Sequence, residues 1–302
     1  MKSGVVNLLK PPGMTSSDAV CQLRRIYGEK RVGHTGTLDP GAAGVLPICI
    51  GRATRLFDYL VEKDKEYLAE ARFGVATDTQ DSYGKPVAQA HGDVTAAALG
   101  AALPAFLGEQ EQTAPMYSAL KAGGKKLYEL ARAGAAPVEK RRRVCIQALE
   151  LVEQTGPQAF LLRVACSRGT YVRTLCQDIG QALGVPAHLA FLLRSRSGPF
   201  TLEGAYTLEE LQARQAQGTL AQTLTPPEEA LAQLPEARLD LDAGQEKLFR
   251  NGAPVRPSGW EGLPKDTPMR AYVGARFWGI AKAGAEGVRM ALFLEDESIE
   301  TG

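Results

Sequence analysis

The chain has 302 residues, of which 44% are hydrophobic and 23% charged, as expected for a globular protein of about two domains. No apolar run approaches the roughly 18 residues that span a bilayer, and the first residues lack the pattern of a secretory signal, so we expect a cytoplasmic protein. The five cysteines include no Cys-x-x-Cys pair and the three histidines no His-x-x-x-His spacing. We therefore expect no disulfide framework, no metal and no cofactor.

The net charge of +1 conceals an uneven distribution along the chain. Residues 1–202 carry 25 Lys and Arg against 18 Asp and Glu, whereas residues 203–246 carry 2 against 9. Residues 247–302 are nearly balanced, with 8 against 7. Because the local field decides whether a polyanion binds, the basic first part keeps nucleic acid open as a partner.

The first half of the chain alternates short strands with helices. Apolar residues at helical spacing follow Thr15, which predicts a helix that Thr15 caps, and alternation over residues 67–73 predicts a strand with one buried face. The expected elements are strands over 4–8, 45–50 and 67–73, helices over 15–27, 53–62 and 94–106, and a glycine-rich loop over 33–44.

The second half changes character near residue 239. Before that point we expect strands over 144–152 and 160–166, a helix that ends near 183, and acidic helices over 207–236. Beyond it, glycine, proline and short strand patterns dominate, with strands expected over 269–273, 277–281 and 288–294. This change predicts a small β-rich module at the C-terminal end.

Asp39 is the clearest candidate for a chemical role. It lies in a loop with glycines at positions 33, 36, 41 and 44, and residues without side chains let a bulky ligand approach the backbone closely. The loop has neither the Gly-Lys-Ser/Thr of a P-loop nor the spacing of a dinucleotide-binding turn. The alternative interpretation is an ordinary Asp-Pro-Gly turn.

Three other residues each have a functional and a structural interpretation. A nucleophilic carboxylate must stay ionised, and the guanidinium of Arg173 would oppose the rise of its pKa on burial; otherwise Arg173 is a surface residue in a first helical turn. Tyr67 either stacks on a planar ring or is a core aromatic. His34 is either a stacking or wedge residue or an ordinary loop histidine.

Basic residues are concentrated between Lys121 and Arg143, interspersed with tyrosine. Cationic side chains beside aromatic faces suit RNA better than a membrane, because no wide apolar face accompanies the charge. A solvated basic hairpin or helix is the alternative.

Seven stretches of the chain together form a recognisable set: GHTGTLDP (33–40), GVLP (44–47), GRAT (51–54), KPPGMTS (10–16), KEY (65–67), PMYSALK (115–121) and CSRGTYVRT (166–174). In order and at suitable spacings over about residues 4–200, they resemble the TruB family of tRNA pseudouridine synthases. The tail carries LFRNGAPV (248–255), FWGIA (277–281) and LFL (292–294), which show a weaker resemblance to the PUA-type RNA-binding module. Ala114 departs from a common proline and Leu193 from a common arginine.

The resemblance implies an α/β (α+β) fold, with a mixed, largely antiparallel sheet flanked by helices and a small β-rich, PUA-like C-terminal domain. It implies a catalytic domain over 1–236, with a basic RNA-gripping insertion at about 115–143, and an RNA-binding domain over 237–302. The acidic segment 203–246 should then face away from RNA.

The resemblance also implies an isomerase that converts uridine to pseudouridine at position 55 in the T-loop of tRNA after flipping the base out of its stack. Asp39 would be the nucleophile, toward ribose C1′ or base C6. Tyr67 would stack on the uracil and is a candidate for abstracting a ribose proton, and Arg173 would pair with Asp39. Tyr171 and Leu192 would line the pocket, and His34 would fill the place of the extruded base. The substrate-binding residues implied are His34, Gly36, Tyr171, Leu192, Lys121, Arg141, Arg142 and Arg143.

Two other functions remain open. A non-catalytic tRNA-binding or tRNA-folding protein on the same scaffold would need no buried carboxylate. A nucleoside hydrolase or glycosidase would need a second carboxylate, which the sequence does not indicate. We expect a monomer whose partner is tRNA, with no membrane and no obligate protein partner.

Overall fold

The computed structural model describes residues 3–61, 64–115, 117–118, 121–122, 124–126 and 140–294. In these residues the strands are β1 (Gly4–Lys10), β2 (Val32–His34), β3 (Ala43–Ile50), β4 (Lys65–Phe73), β5 (Val75–Thr77), β6 (Pro86–Gln89), β7 (Gly108–Thr113), β8 (Lys121–Ala122), β9 (Lys125–Lys126), β10 (Arg141–Gly156), β11 (Ala159–Cys166), β12 (Ala187–Ser197), β13 (Phe200–Thr201), β14 (Leu224–Thr225), β15 (Glu236–Leu239), β16 (Met269–Val273), β17 (Arg276–Gly284) and β18 (Gly287–Phe293). The α-helices are α1 (Ser16–Tyr27), α2 (Phe57–Val61), α3 (Ala96–Ala102), α4 (Val172–Ala182), α5 (Leu208–Ala216), α6 (Pro227–Ala230) and α7 (Ala243–Arg250). None of the described helices is long and apolar enough to cross a bilayer.

A ten-stranded sheet forms the main body of the molecule. Its order is β14-β1-β3-β12-β4-β11-β10-β7, with β2 beside β3 and β13 beside β12. The neighbours are antiparallel except β3 and β12, which run parallel with Gly44 opposite Arg194. A mixed, largely antiparallel sheet with helices against it confirms the predicted fold class.

The sequence pattern explains the position of the central strands. All eight residues of β3 are buried, as expected for an apolar run in the middle of a sheet. β4 buries every second residue from Lys65 to Phe73, including Tyr67, so its two faces differ as the alternation predicted.

The two faces of the sheet bury separate apolar clusters. Val6 and Leu8 of β1 pack into the cluster that α1 and α4 cover, whereas Val5 points to the opposite face. On that opposite face, Val5 shares a cluster with Ile280 and Leu294 from the C-terminal part of the chain. Helices α1 and α4 and the C-terminal part therefore lie on opposite faces of the sheet.

The C-terminal part is a small β-rich domain, as predicted. Strands β15 to β18 form a four-stranded sheet in chain order, in which β15 and β16 are parallel and the other pairs antiparallel. The rings of Phe249 and Trp278 stack at a centroid distance of 6.2 Å within its core. Since β15 begins at Glu236, we propose that the domain begins near this strand.

Several elements differ from the sequence-based expectation. The helix expected over 53–62 is a 3-10 helix (Gly51–Leu56) followed by α2, and the helix expected over 94–106 becomes 3-10 at Leu103, beside Pro104. β7 and β12 were not predicted as strands. β10 begins at Arg141, so Arg141, Arg142 and Arg143 belong to the sheet and pair with β7. The rest of the expected insertion lies largely outside the described residues.

Candidate active site

The glycine-rich loop forms part of the wall of a cavity of about 830 Å³. Residues 39–42 make a turn in which the N–H of Ala42 donates to the carbonyl of Asp39 at 3.0 Å. The hydroxyl of Ser16, at the start of α1, contacts both the N–H and the carbonyl of Leu38, at 2.9 and 3.1 Å. The predicted Asp-Pro-Gly turn is therefore present, and α1 holds it at the cavity.

Glycine is required where the loop meets the sheet. Gly44 has a φ of +115°, and a Cβ at this position would lie 2.3 Å from the carbonyl oxygen of Arg194. Only a residue without a side chain lets β3 and β12 approach this closely. The close approach brings the side chain of Arg194 beneath the glycine-rich loop.

The side chain of Arg173 lies next to the carboxylate of Asp39. Its Nε is 3.0 Å from Asp39 Oδ2, and its Nη1 is 3.7 Å from Asp81 Oδ2. Nη1 also donates to the carbonyl of Thr79 at 3.1 Å, and Nη2 donates to the carbonyl of Tyr117 at 2.9 Å. Because Arg173 is buried and every part of its guanidinium has a partner, its orientation toward Asp39 is fixed.

The Asp39 carboxylate faces the cavity, where a ligand can reach it, but most of its surroundings are protein rather than water. Its side chain is 42% exposed and lines the cavity, but protein atoms surround its other sides. Burial raises the pKa of the Asp39 carboxyl above its ordinary value, and the cations of Arg173 and Lys10 oppose this rise while the Asp81 carboxylate adds to it. The carboxylate is thus more basic than one in water while two cations favour its ionised form.

Arg194 connects the loop, the sheet and Tyr67. It is 1% exposed; its Nε donates to the carbonyl of Val45 at 2.7 Å, its Nη2 donates to the carbonyl of Gly36 at 3.2 Å, and it hydrogen-bonds the hydroxyl of Tyr67. Burial raises the pKa of Tyr67 to about 12, which Arg194 partly opposes. The Tyr67 phenol is therefore protonated at neutral pH.

Lys10 supports the other side of the turn over residues 39–42. Its buried ammonium donates to the carbonyls of Pro11 at 2.8 Å, Met14 at 2.7 Å and Pro40 at 3.4 Å. Burial lowers the pKa of Lys10 to about 8, an effect that Asp39 opposes. Lys10 thus ties the residue after Asp39 to the turn that precedes α1.

The structure places the other predicted pocket residues at different depths. His34 and Leu192 lie in the cavity wall, and burial lowers the pKa of His34. Gly36, Tyr67 and Tyr171 are not among the described residues of the wall: Gly36 and Tyr67 lie behind it, bound to Arg194. Tyr171 precedes α4, where its N–H is bound by the side chain of Gln112.

The three consecutive arginines of β10 do not share one environment. Arg141 and Arg143 are exposed, whereas Arg142, on the other face of the strand, is half-buried. The Arg142 guanidinium lies over the Tyr171 ring at 5.9 Å and next to Gly169, where a Cβ would come within 2.3 Å of it. The backbone of Lys121 lies in β8; its side chain lies outside the described residues.

Sequence reasoning missed Lys10, Asp81 and Arg194 as parts of this site. Lys10 was used only as the first residue of the family stretch KPPGMTS, and no pattern singled out Asp81. The signal that was available for Arg194 was its position directly after the apolar run 189–193, since a buried arginine persists only where acceptors surround it. In the described chain no three His, Cys, Asp or Glu side chains are grouped so that they could hold a metal.

Comparison with known proteins gives a consistent assignment over most of the chain. Residues 24–172 match the model of the TruB family pseudouridylate synthase N-terminal domain, and residues 173–232 match that of the tRNA pseudouridylate synthase B C-terminal domain. The tRNA pseudouridine synthase B of Symbiobacterium thermophilum is 51% identical over 256 residues, 84% of each chain, and that of Bacillus subtilis is 46% identical over 242 residues, 78% of each chain.

Solved structures with a similar fold include two from complexes that contain Cbf5. A chain in the crystal structure of a Cbf5-Nop10-Gar1 complex superposes with a TM-score of 0.70 at 28% identity, covering 93% of this chain and 78% of that one. A chain in the archaeal box H/ACA Nop10-Cbf5 complex gives a TM-score of 0.67, also at 28% identity, covering 93% and 79%. Because two family models together match residues 24–232, and a relative is 51% identical over 84% of the chain, the chain belongs to the TruB family of pseudouridylate synthases.

Proposed function

We propose that this protein converts uridine to pseudouridine in tRNA, and that its target is the uridine at position 55 in the T-loop. The observation that carries the proposal is the Asp39 carboxylate, held 3.0 Å from Arg173 in the wall of a cavity of about 830 Å³. A cavity of this size is ample for a flipped nucleotide. A protein that only binds or folds tRNA has no use for such a carboxylate.

The reaction is an isomerisation in which nothing is gained or lost overall. The bond between N1 and C1′ breaks, a bond between C5 and C1′ forms, C5 releases its proton and N1 gains one. A nucleophile must hold one fragment while the base turns, and Asp39 would do so through a transient ester at C1′ or an adduct at C6. Both routes start from the ionised carboxylate that Arg173 and Lys10 favour.

The residues around Asp39 have distinct proposed roles. Tyr67 lies behind the wall of the cavity, so it would stack on the uracil only where the wall opens toward the flipped base. Its phenol, with a pKa of about 12, is protonated and would have to lose that proton to solvent before it could accept one from the ribose. Leu192 would pack against the flipped base, and His34 would fill the place that the base leaves in the T-loop.

Binding of the RNA would take place around the cavity. Flipping a nucleotide costs a few kcal/mol, and phosphate contacts from Lys121 and from Arg141 and Arg143 on β10 would offset this cost. Arg142 would contribute by keeping Tyr171 in place rather than by a phosphate contact. We further propose that the β-rich domain is a PUA-like RNA-binding module.

We also propose that the protein acts as a cytoplasmic monomer. Its cysteines at positions 21, 49, 145, 166 and 176 are all free thiols, as is usual in a reducing compartment. Equilibrium sedimentation with and without RNA tests the monomer, and a species of twice the mass at micromolar concentration would contradict it.

A T-stem-loop RNA with tritium at C5 of its uridines tests the proposed function. Conversion to pseudouridine releases the C5 hydrogen, so we expect one tritium released per RNA and pseudouridine in the digest. The matched control is the same RNA with cytidine at the target position. Free uracil in place of pseudouridine would indicate a hydrolase, and tight binding without turnover would indicate a tRNA-binding protein; either result contradicts the proposal.

A further inference from the structure

Two large aromatic side chains are exposed in the wall of the catalytic cavity. Tyr83 is 74% exposed and Phe191 is 43% exposed, and both line the cavity that contains Asp39. The other large apolar side chains exposed in the described chain, Phe57, Val87, Leu107, Val152 and Leu248, lie outside this wall. Exposed apolar surface is unfavourable in water, so a pair of rings at one cavity indicates a surface that a ligand covers.

The two rings are anchored at neighbouring points of the sheet. Ser82 donates from its N–H to the carbonyl of Leu189 at 3.1 Å, and its hydroxyl donates to the carbonyl of Ala190 at 3.1 Å. The N–H of Tyr83 donates to Asp81 Oδ1 at 3.0 Å. The backbone before Tyr83 is therefore fixed to β12 immediately before Phe191.

A bulge in β12 gives Phe191 its orientation. The register between β12 and β4 shifts between Leu189 and Phe191, and a bulge of this kind turns the side chains that follow it. Phe191 is exposed while Leu189 and Leu192 on either side of it are buried. A large ring exposed between two buried positions marks a change in the direction of the side chains.

Tyr83 also covers the turn over residues 39–42, which carries Asp39. A Cβ at position 41 would lie 2.0 Å from Cε2 of the Tyr83 ring, so the ring rests on the bare backbone of Gly41. Gly41 is two residues from Asp39, in the same turn. The ring therefore lies beside the place where the target nucleotide would enter.

We propose that Tyr83 and Phe191 form an aromatic platform that stacks on the nucleobase next to the flipped uridine in the chain of the RNA. The proposal rests on the proposed function. When one nucleotide is pulled out of a folded loop, its neighbour loses a stacking partner, and a protein ring replaces that contact whatever the identity of the base. The platform would thus compensate for part of the cost of flipping without reading sequence.

Removal of the rings and of the bases separately, and then together, tests the platform. We expect Tyr83→Ala and Phe191→Ala each to raise the Kd for a fluorescent T-stem-loop by about tenfold, and Tyr83→Phe to bind as the wild type does. Phe57→Ala is the matched control, because Phe57 is also 43% exposed but outside the cavity wall, and its Kd should not change.

Two further RNAs lack the base on the 5′ or the 3′ side of the target. If the platform stacks on one of these bases, that abasic RNA binds the wild type about tenfold more weakly but binds Tyr83→Ala no more weakly than the intact RNA does. If loss of the base weakens binding of Tyr83→Ala by the same factor as binding of the wild type, for both abasic RNAs, the platform is overturned, even if pseudouridine forms normally. Absence of pseudouridine with every RNA would instead overturn the proposed function, since Kd reports on the platform without turnover.

Discussion

The wall of the cavity and the outer strand β10 both present cations, but they hold them in opposite ways. Arg173 and Arg194 are buried, and protein oxygens at 2.7–3.2 Å fix their guanidinium groups. Arg141 and Arg143 lie on the exposed face of a strand. A buried charge acts at a fixed distance with little screening, whereas an exposed charge acts through a field that salt screens. The fixed cations of the cavity are therefore suited to stabilising charge on a reacting group, and the exposed cations of β10 are suited to binding a polyanion.

Replacing the carboxylate should give the largest effect. We expect Asp39→Asn to lower turnover at least about a thousandfold, because the proposed nucleophile is lost. Since burial raises the folded-state pKa of Asp39, its ionisation opposes folding above that pKa, and the Asn variant should melt no lower than the wild type at pH 7. Single-turnover tritium release and a thermal melt measure the two quantities. Wild-type turnover by this variant would remove the proposed mechanism.

Arg173→Gln should affect both chemistry and folding. It leaves the carboxylates of Asp39 and Asp81 without their nearest cation and the carbonyls of Thr79 and Tyr117 with fewer donors. We expect turnover to fall about a hundredfold or more and the free energy of unfolding to fall by about 2 kcal/mol, less than for a fully buried pair because Asp39 is 42% exposed. Urea unfolding measures the second effect. Arg173→Lys keeps the positive charge but lacks the planar guanidinium with its several N–H donors, so it should recover only part of the activity.

The acid limb of the activity profile should move when a cation is removed. As the proposed nucleophile, Asp39 would act in its ionised form, so activity should fall as the pH falls through its raised pKa. Lys10, whose own pKa is about 8, is still charged there and lowers the pKa of Asp39. We expect Lys10→Gln to move the limb of kcat/KM to higher pH, and Arg173→Gln to move it further, since Arg173 opposes the rise more strongly. A limb that stays in place in both variants would show that another group controls it.

The smallest effects should come from the outer strand. We expect Arg141→Gln with Arg143→Gln to reduce the slope of log Kd against log salt by about 0.7–0.9 per phosphate contact, with kcat unchanged. Arg142→Gln should leave the slope unchanged and cost about 1 kcal/mol of stability, because its guanidinium lies over the Tyr171 ring. Arg214→Gln, in the acidic segment, is the control. An equal loss of slope from Arg142→Gln would show that all three arginines contact RNA.

Local patterns predicted the parts of the fold and site that depend on near neighbours in the chain. The Thr15 cap of α1, with its reciprocal contact to Asp18, and the turn that carries Asp39 are formed by residues three apart. Arg194 is different, because its partners Val45 and Tyr67 lie more than a hundred residues away. Neither its burial nor its role is visible in a window of ten or twenty residues.

The same limit explains why β12 was not predicted. β12 contains a bulge and buries His188 and Arg194, so its apolar run over 189–193 covers less than half of the strand and shows no clean alternation. Its position between β3 and β4 is a property of the whole sheet. The distinct environments of Arg141 and Arg142 could likewise be predicted only with the strand register, since three consecutive arginines do not show which side chain lies on which face of the strand.

The insertion of β12 between β3 and β4 has a consequence during synthesis of the protein. Until residues 187–197 have left the ribosome, β3 and β4 have no strand to join them, so any sheets formed by then would keep open edges. The late synthesis of this segment would also be the step that brings Arg194 to Tyr67. An unfinished polypeptide therefore carries the Asp39 turn long before it can act on any RNA.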